Sequence, residues 1–141
     1  MPVKHILVPV DGSEGSRRAV VTAIGLAEAA GASVTLLEVI EEAGPLPSYD
    51  ERPPPGDTRE HWLSEERWEP IRDLLQGTDV PWERRVERGY PAQRIVEVAE
   101  KGEFDLIVIG NRGMSAIGRF LVGSVSDKVV HHAPCSVLVV K

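Results

Sequence analysis

Apolar residues alternate along the chain between short continuous runs and stretches where they recur every three or four positions. The continuous runs are rich in Val, Ile and Leu, which is typical of strands buried on both faces of a parallel sheet. These runs are Val3–Val10, Ser33–Ile40, Phe104–Ile109 and Ser136–Val140. A fifth segment, Val80–Glu87, alternates between its two faces but is polar and carries Pro81, which favours a strand at the edge of a sheet.

The stretches between the strands have helical periodicity. Helices are predicted from Ser13 to Gly31, over roughly 58–75, from Pro91 to Gly102, and over Val125–His132. Ser13 is an N-cap candidate, and Pro70 argues against one unbroken second helix. Strands that alternate with helices predict an α/β doubly wound sheet, in one domain spanning residues 1–141.

Residues 41–57 interrupt this alternation. The segment contains five prolines and two glycines, a composition that excludes regular structure. We interpret it as a long exposed loop. Disorder and a movable lid or partner contact both remain open as its role.

Composition narrows the classes of function. The 141 residues can bury a core of their own, with 42% hydrophobic against 27% charged residues. A net charge of −6 disfavours general binding to nucleic acid or to an anionic membrane. The single cysteine, Cys135, excludes an internal disulfide and is expected to be a small buried hydrophobe. No signal peptide or apolar stretch of about 18 residues occurs, so we expect a cytoplasmic protein.

A glycine-rich segment between the fourth strand and the last helix carries the chemistry. It contains Gly110, Gly113, Gly118 and Gly123. Glycines there allow tight turns and present bare N–H groups, while the start of the helix adds unpaired donors and a positive dipole end. Together these features predict a phosphate site. A flexible surface loop is the alternative.

The spacing of the glycines separates this segment from two common phosphate loops. Ser124-Val125 stands where a P-loop needs Lys followed by Ser or Thr, and a dinucleotide GxGxxG is absent from the chain. The segment instead fits Gly-x2-Gly-x9-Gly-Ser at Gly110, Gly113, Gly123 and Ser124. This pattern resembles the ATP-binding motif of the universal stress protein family.

The resemblance covers nearly the whole chain. Its matching segments are Ile6–Ser13, Gly89–Ala92, Asp105–Gly110 and His132–Val140. It implies strand order 3-2-1-4-5 with helices on both faces, and ATP as the ligand. The proline-rich segment is the part least like the family, and no role is transferred to it.

In an open parallel sheet, ligands bind outside the carboxyl ends of the strands where the strand order reverses. With the implied order, this point lies between the first and fourth strands, which end at Pro9-Val10-Asp11 and at Gly110. Asp11 can accept hydrogen bonds from ribose hydroxyls or can cap the first helix. Val39 can offer main-chain groups to adenine or can be plain core.

The phosphates are expected on the remaining residues of the motif. Gly113, Gly123, Ser124 and Val125 would offer amides, and these positions match the ATP contacts of the family. Arg112 and Arg119 would add charge or would stay solvated. No cluster of metal ligands occurs in the sequence, and Mg²⁺ carried by ATP needs none.

The sequence therefore predicts an ATP-binding regulatory protein of the stress-response type. The alternative is a slow ATPase or nucleotide-transferring enzyme, which would need a base beside the phosphates. His5 is expected at the opposite end of the first strand, and His131 and His132 at the far end of the last helix. A third possibility is an interaction module without ligand, which the intact motif disfavours.

The end of the chain predicts assembly. In the implied order, the apolar strand Val137-Leu138-Val139-Val140 lies at an edge of the sheet, where unpaired backbone groups invite pairing. We expect a homodimer with this strand running antiparallel to its copy, through contacts that include Val137 and Val139. The alternative is a monomer whose edge is covered by the proline-rich loop.

Overall fold

The computed structural model describes residues 2–41, 65–111 and 124–141. Strands and helices alternate within these ranges, as the hydrophobic pattern predicts. The strands are β1 (His5–Pro9), β2 (Ser33–Glu41), β3 (Trp82–Gly89), β4 (Leu106–Gly110) and β5 (Ser136–Val140). The helices are α1 (Glu14–Ala30), α2 (Glu65–Gln76), α3 (Pro91–Lys101) and α4 (Ser124–His132).

The strands form one sheet in the order β3-β2-β1-β4-β5, and every neighbouring pair is parallel. This confirms the predicted α/β class and the order that the family resemblance implies. It also confirms Val80–Glu87 as an edge segment, although β3 itself begins at Trp82, one residue after Pro81. β1 lies at the centre, where Ile6, Leu7 and Val8 are fully buried.

Successive residues of each strand point to opposite faces of the sheet. Both faces carry buried apolar residues, and helices cover both. The first core cluster joins Ile6 and Val8 to apolar residues of α1 and α2, including Val20 and Ile71. The second core cluster lies on the other face, beneath α3 and α4. Its buried members are Leu7, Leu37, Ile95, Val98, Ala99, Ile107, Ile109 and Val129.

The ends of the helices follow the predicted local signals. The Ser13 hydroxyl accepts a hydrogen bond from the Ser16 amide at 3.1 Å and caps α1, as expected. Gly31 ends α1 in the left-handed conformation, with φ 69°. Pro91 is the first residue of α3.

Pro70 does not interrupt α2, which runs from Glu65 to Gln76 across it. The expectation that proline could break this helix is therefore wrong for the described part. Residues 58–64 of the predicted helix, and residues 42–57 of the proline-rich loop, lie outside the described residues. No helix in the ranges given above is both long enough and apolar enough to cross a membrane.

A buried ion pair fixes β3 and α2 to β2. Glu38 is 1% exposed, and its carboxylate accepts a hydrogen bond from the Arg84 guanidinium at 2.8 Å. The same guanidinium lies over the Trp68 ring, 4.2 Å from its centre. Burying such a pair costs desolvation, and replacing Arg84 alone would deprive the buried Glu38 carboxylate of this ion pair.

Cys135 is less buried than the sequence predicts. It is half-buried and packs against the second core cluster. Burial raises the pKa of its thiol, and the nearby Asp105 carboxylate adds to the rise. A raised pKa keeps the thiol protonated at neutral pH, which makes it a poor nucleophile.

Candidate functional site

The strand order reverses at the centre of the sheet, between β1 and β4. β1 pairs with β2 on one side and with β4 on the other, so the chain leaves β1 and β4 toward different helices. The carboxyl ends of these two strands are Pro9-Val10-Asp11 and Gly110-Asn111. The structure therefore brings together the described residues that the sequence assigned to the crevice.

The first turn of α1 lies directly against the end of β4. A Cβ placed on Gly110 would lie 2.7 Å from the carbonyl carbon and oxygen of Gly15 and 3.2 Å from the Ser16 nitrogen. Only a residue without a side chain permits this approach. Gly110 is thus required for closing one wall of the crevice, whatever else it contacts.

Asp11 lies at the mouth of the crevice. Its Oδ1 accepts a hydrogen bond from the Ser13 amide at 2.9 Å, which supports the turn that leads into α1. The side chain is exposed. The N-cap of α1 is Ser13 and not Asp11, so the hydrogen bond of Asp11 supports the turn before the cap and holds the carboxylate at the end of β1.

The main chain of Val39 is positioned by the pairing of β2. The Leu37 carbonyl accepts a hydrogen bond from the Val10 amide at 2.8 Å, and β2 then continues to Glu41 beside β3. Main-chain groups two residues apart on a strand face the same side. Those of Val39 therefore face the side of β1, past the end of that strand, while its side chain packs on the second core cluster.

The start of α4 is tied to the end of β4. The Asn111 amide donates to the Val140 carbonyl at 2.9 Å, and the Asn111 carbonyl accepts from the Ser126 hydroxyl at 3.3 Å. Ser126 is 2% exposed. α4 begins at Ser124, and Val125 packs half-buried on the second core cluster.

These contacts hold the start of α4 beside the crevice. The role of Asn111 and Ser126 in holding it there was not predicted from the sequence. The other predicted phosphate residues, Arg112, Gly113 and Gly123, lie outside the described residues, as do Gly118 and Arg119.

A serine, a histidine and a carboxylate gather at the amino ends of β1, β2 and β4. His5 Nδ1 lies 3.0 Å from Ser33 Oγ. Asp105 Oδ2 accepts hydrogen bonds from the Lys4 amide at 2.8 Å and the His5 amide at 2.9 Å. These bonds, the Lys4 bond most of all, lower the pKa of Asp105. Since the carboxylate binds the backbone and not the imidazole, the group joins strand ends and is not a catalytic triad.

The other described histidines lie at the end of α4, as expected. His131 Nδ1 lies 2.8 Å from the Asp127 carbonyl oxygen and 3.6 Å from the Asp127 carboxylate. His132 is the last residue of the helix. Across the described ranges, no three His, Cys, Asp or Glu side chains are arranged to hold a metal ion. His61 falls outside those ranges.

An open cleft of about 540 Å³ separates α1 from the end of β5. Its lining comprises Glu14, Arg17, Arg18, Val21, Thr22, Val140 and Lys141. Arg18 is paired with Glu14 at 2.7 Å. The side chains that line the cleft thus include three cations and one acidic group, although the whole chain carries a net charge of −6. The sequence alone did not single out this cleft.

Comparison with known proteins supports the family resemblance. The chain matches the profile of the universal stress protein family over residues 2–141. It is 38% identical over 140 residues to the Thermus aquaticus protein described as "Universal stress protein in QAH/OAS sulfhydrylase 3'region", which covers 98% of each chain.

Two solved structures have the same fold. The universal stress protein UspA from Lactobacillus plantarum superposes with a TM-score of 0.75 at 28% identity, covering 100% of this chain and 99% of that one. A universal stress protein crystallised in complex with cAMP superposes with a TM-score of 0.72 at 27% identity, covering 100% of this chain and 98% of that one.

Proposed function

The chain belongs to the universal stress protein family, and we propose that it is a regulatory protein that binds ATP at the carboxyl ends of β1, β2 and β4. The observation that carries this proposal is the closure of the crevice around Gly110. α1 contacts this residue directly, and the hydrogen bonds of Asn111 hold the start of α4 beside it. Both ends of the Gly-x2-Gly-x9-Gly-Ser segment are thereby anchored at one place.

The base and the ribose are assigned to the described part of the crevice. Main-chain groups of Val39 face the space beyond the end of β1 and offer a donor and an acceptor to the adenine edge. The Asp11 carboxylate, held by the Ser13 amide at 2.9 Å, accepts hydrogen bonds from the ribose hydroxyls. Pro9 and Val10 form the floor between them.

The phosphates are assigned to the start of α4 and to the glycine loop. Amides of Gly113, Gly123, Ser124 and Val125 would hold them, together with the Ser124 hydroxyl and the Arg112 side chain. Mg²⁺ would arrive with ATP, coordinated by phosphate oxygens and water. The cAMP complex of a 27% identical relative supports an adenine nucleotide as the ligand class. The preference for ATP rests on the glycine spacing.

Titration with ATP, followed by the melting temperature and by calorimetry, tests the proposal. Ligand that binds only the folded state must raise the melting temperature. No shift at millimolar ATP would exclude the function.

A pair of variants at Asp11 locates the site. Asp11→Asn keeps an oxygen that can accept from the Ser13 amide but lacks the charge, so ATP affinity should fall about tenfold. Equal affinity for ATP in Asp11→Asn and the wild type would show that Asp11 does not contact the nucleotide. Asp73→Asn, on α2, is the matched control.

Slow ATP hydrolysis is the alternative, and no contact among the described residues favours it. The described histidines lie at the amino end of β1 or at the C-terminal end of α4. Phosphate release that continues unchanged in Gly123→Val would identify a contaminant. Release that disappears in that variant would favour the enzyme.

We further propose a homodimer through β5. This strand is the edge of the sheet, Leu138 on it is 37% exposed, and the cleft leaves its end uncovered by α1. Val137 and Val139 are half-buried against the second core cluster and would extend that cluster into the partner. Antiparallel pairing would satisfy the free backbone groups of the edge.

Sedimentation at micromolar concentration tests the dimer, and a single species near 15.4 kDa would exclude it. Val139→Pro removes a backbone donor from β5 and should give a folded monomer. A folded dimer of this variant would place the interface elsewhere.

A further inference from the structure

We infer that the cleft between α1 and the end of β5 binds the terminal phosphates of the nucleotide, through Arg17 and Lys141, and so selects a polyphosphate over a monophosphate. The inference rests on the proposed nucleotide function. It adds that the ligand carries several phosphates and not one. The chemical group that the cleft recognises is a chain of phosphates.

The order of the strands sets the direction of the ligand. Val39 lies on β2, Asp11 follows β1, and Gly110 ends β4. A nucleotide whose base, ribose and phosphates contact these three residues in turn crosses the carboxyl ends of the strands in the order β2, β1, β4. The next strand in that order is β5, and the cleft lies at its end.

Two contacts place the cleft directly beside the crevice. Gly15, which touches Gly110, lies two residues before Arg17 in α1. Val140, whose carbonyl accepts from the Asn111 amide, comes just before Lys141. α1 therefore forms a wall of both the crevice and the cleft, and the end of β5, on the other side of the cleft, is hydrogen-bonded to the residue that follows β4.

The charges of the cleft suit an anion. Glu14 is already paired with Arg18 at 2.7 Å. Among the described residues, Arg17 and Lys141 have no such ion-pair partner, and Arg17 is exposed. Two cationic residues without an ion-pair partner line one cleft of a chain with net charge −6, which favours a ligand with several negative charges.

The affinities of ATP and AMP, measured side by side by calorimetry, test the inference. Arg17→Gln and Lys141→Gln should each weaken ATP by about three- to tenfold and leave AMP within about twofold. Arg88→Gln is the matched control, because it removes one exposed cation from β3, at the other edge of the sheet. It should leave both affinities unchanged.

The outcomes separate this inference from the proposed function. If the wild type binds ATP and AMP but the ratio of their affinities is the same in all variants, the cleft does not contact the phosphates. If the wild type binds neither nucleotide, the proposed function fails, and this inference with it.

Inorganic triphosphate distinguishes the two sources of the phosphate chain. It should compete with ATP, and competition should weaken in Arg17→Gln. Simultaneous binding of triphosphate and ATP would make the cleft a separate anion site and overturn the inference.

Discussion

Gly110→Ala tests the closest contact in the candidate site. The new Cβ would lie 2.7 Å from the carbonyl carbon and oxygen of Gly15, where ordinary contact needs 3.4 Å or more. Both opposing atoms belong to the backbone of α1, so no side chain can rotate away. The first turn of the helix must move by about 0.7 Å, and such overpacking costs about 2 kcal/mol.

Urea and thermal unfolding measure this cost. About 2 kcal/mol corresponds to a fall of about 6 °C in melting temperature for a domain of this size. ATP affinity should fall as well, since the displaced turn forms one wall of the proposed crevice.

Gly25→Ala is the matched control. It lies in the same helix and has nothing within 4 Å of the added Cβ. It should stabilise the protein by about 0.5–1 kcal/mol through helix propensity. If Gly110→Ala is as stable as the wild type, α1 does not lie against β4 as described, and the account of the crevice is wrong.

Substitutions at three further residues test single contacts. Arg84→Met removes the ion pair that Arg84 makes with the buried Glu38 carboxylate and should lower the free energy of unfolding by about 3 kcal/mol in urea. An unchanged value would mean that the pair contributes nothing. Ser13→Ala should cost about 1 kcal/mol through the lost cap, and Ser13→Asp much less. Equal losses would contradict capping. Because the folded-state pKa of Asp105 is lowered, its contribution is complete above the ordinary value of 3.8 and is lost as the pH falls below it. The stability difference between wild type and Asp105→Asn should therefore shrink in acid, and a constant difference between about pH 5 and pH 2 would refute this linkage.

The sequence by itself determined the elements and the class of the fold. Runs of β-branched residues separated by helical periodicity can be satisfied only by strands alternating with helices. Ser13, Gly31 and Pro91 fixed helix ends because capping depends on residues a few positions apart. The glycine spacing pointed to the family for a similar reason, because all residues of the motif lie within one short segment of the sequence. The strand order came from that resemblance and not from periodicity.

The tertiary structure decided the contacts between distant parts of the chain. Glu38 lies within an apolar run, and its partner Arg84 is 46 positions away, so no local pattern pairs them. The approach of Gly15 to Gly110 and the bond from Asn111 to Val140 depend on β4 lying between β1 and β5. Arg17 and Lys141, near opposite ends of the sequence, share one cleft for the same reason. Side-chain periodicity reports which face of an element is buried, but only the arrangement of strands determines which residues meet at their ends.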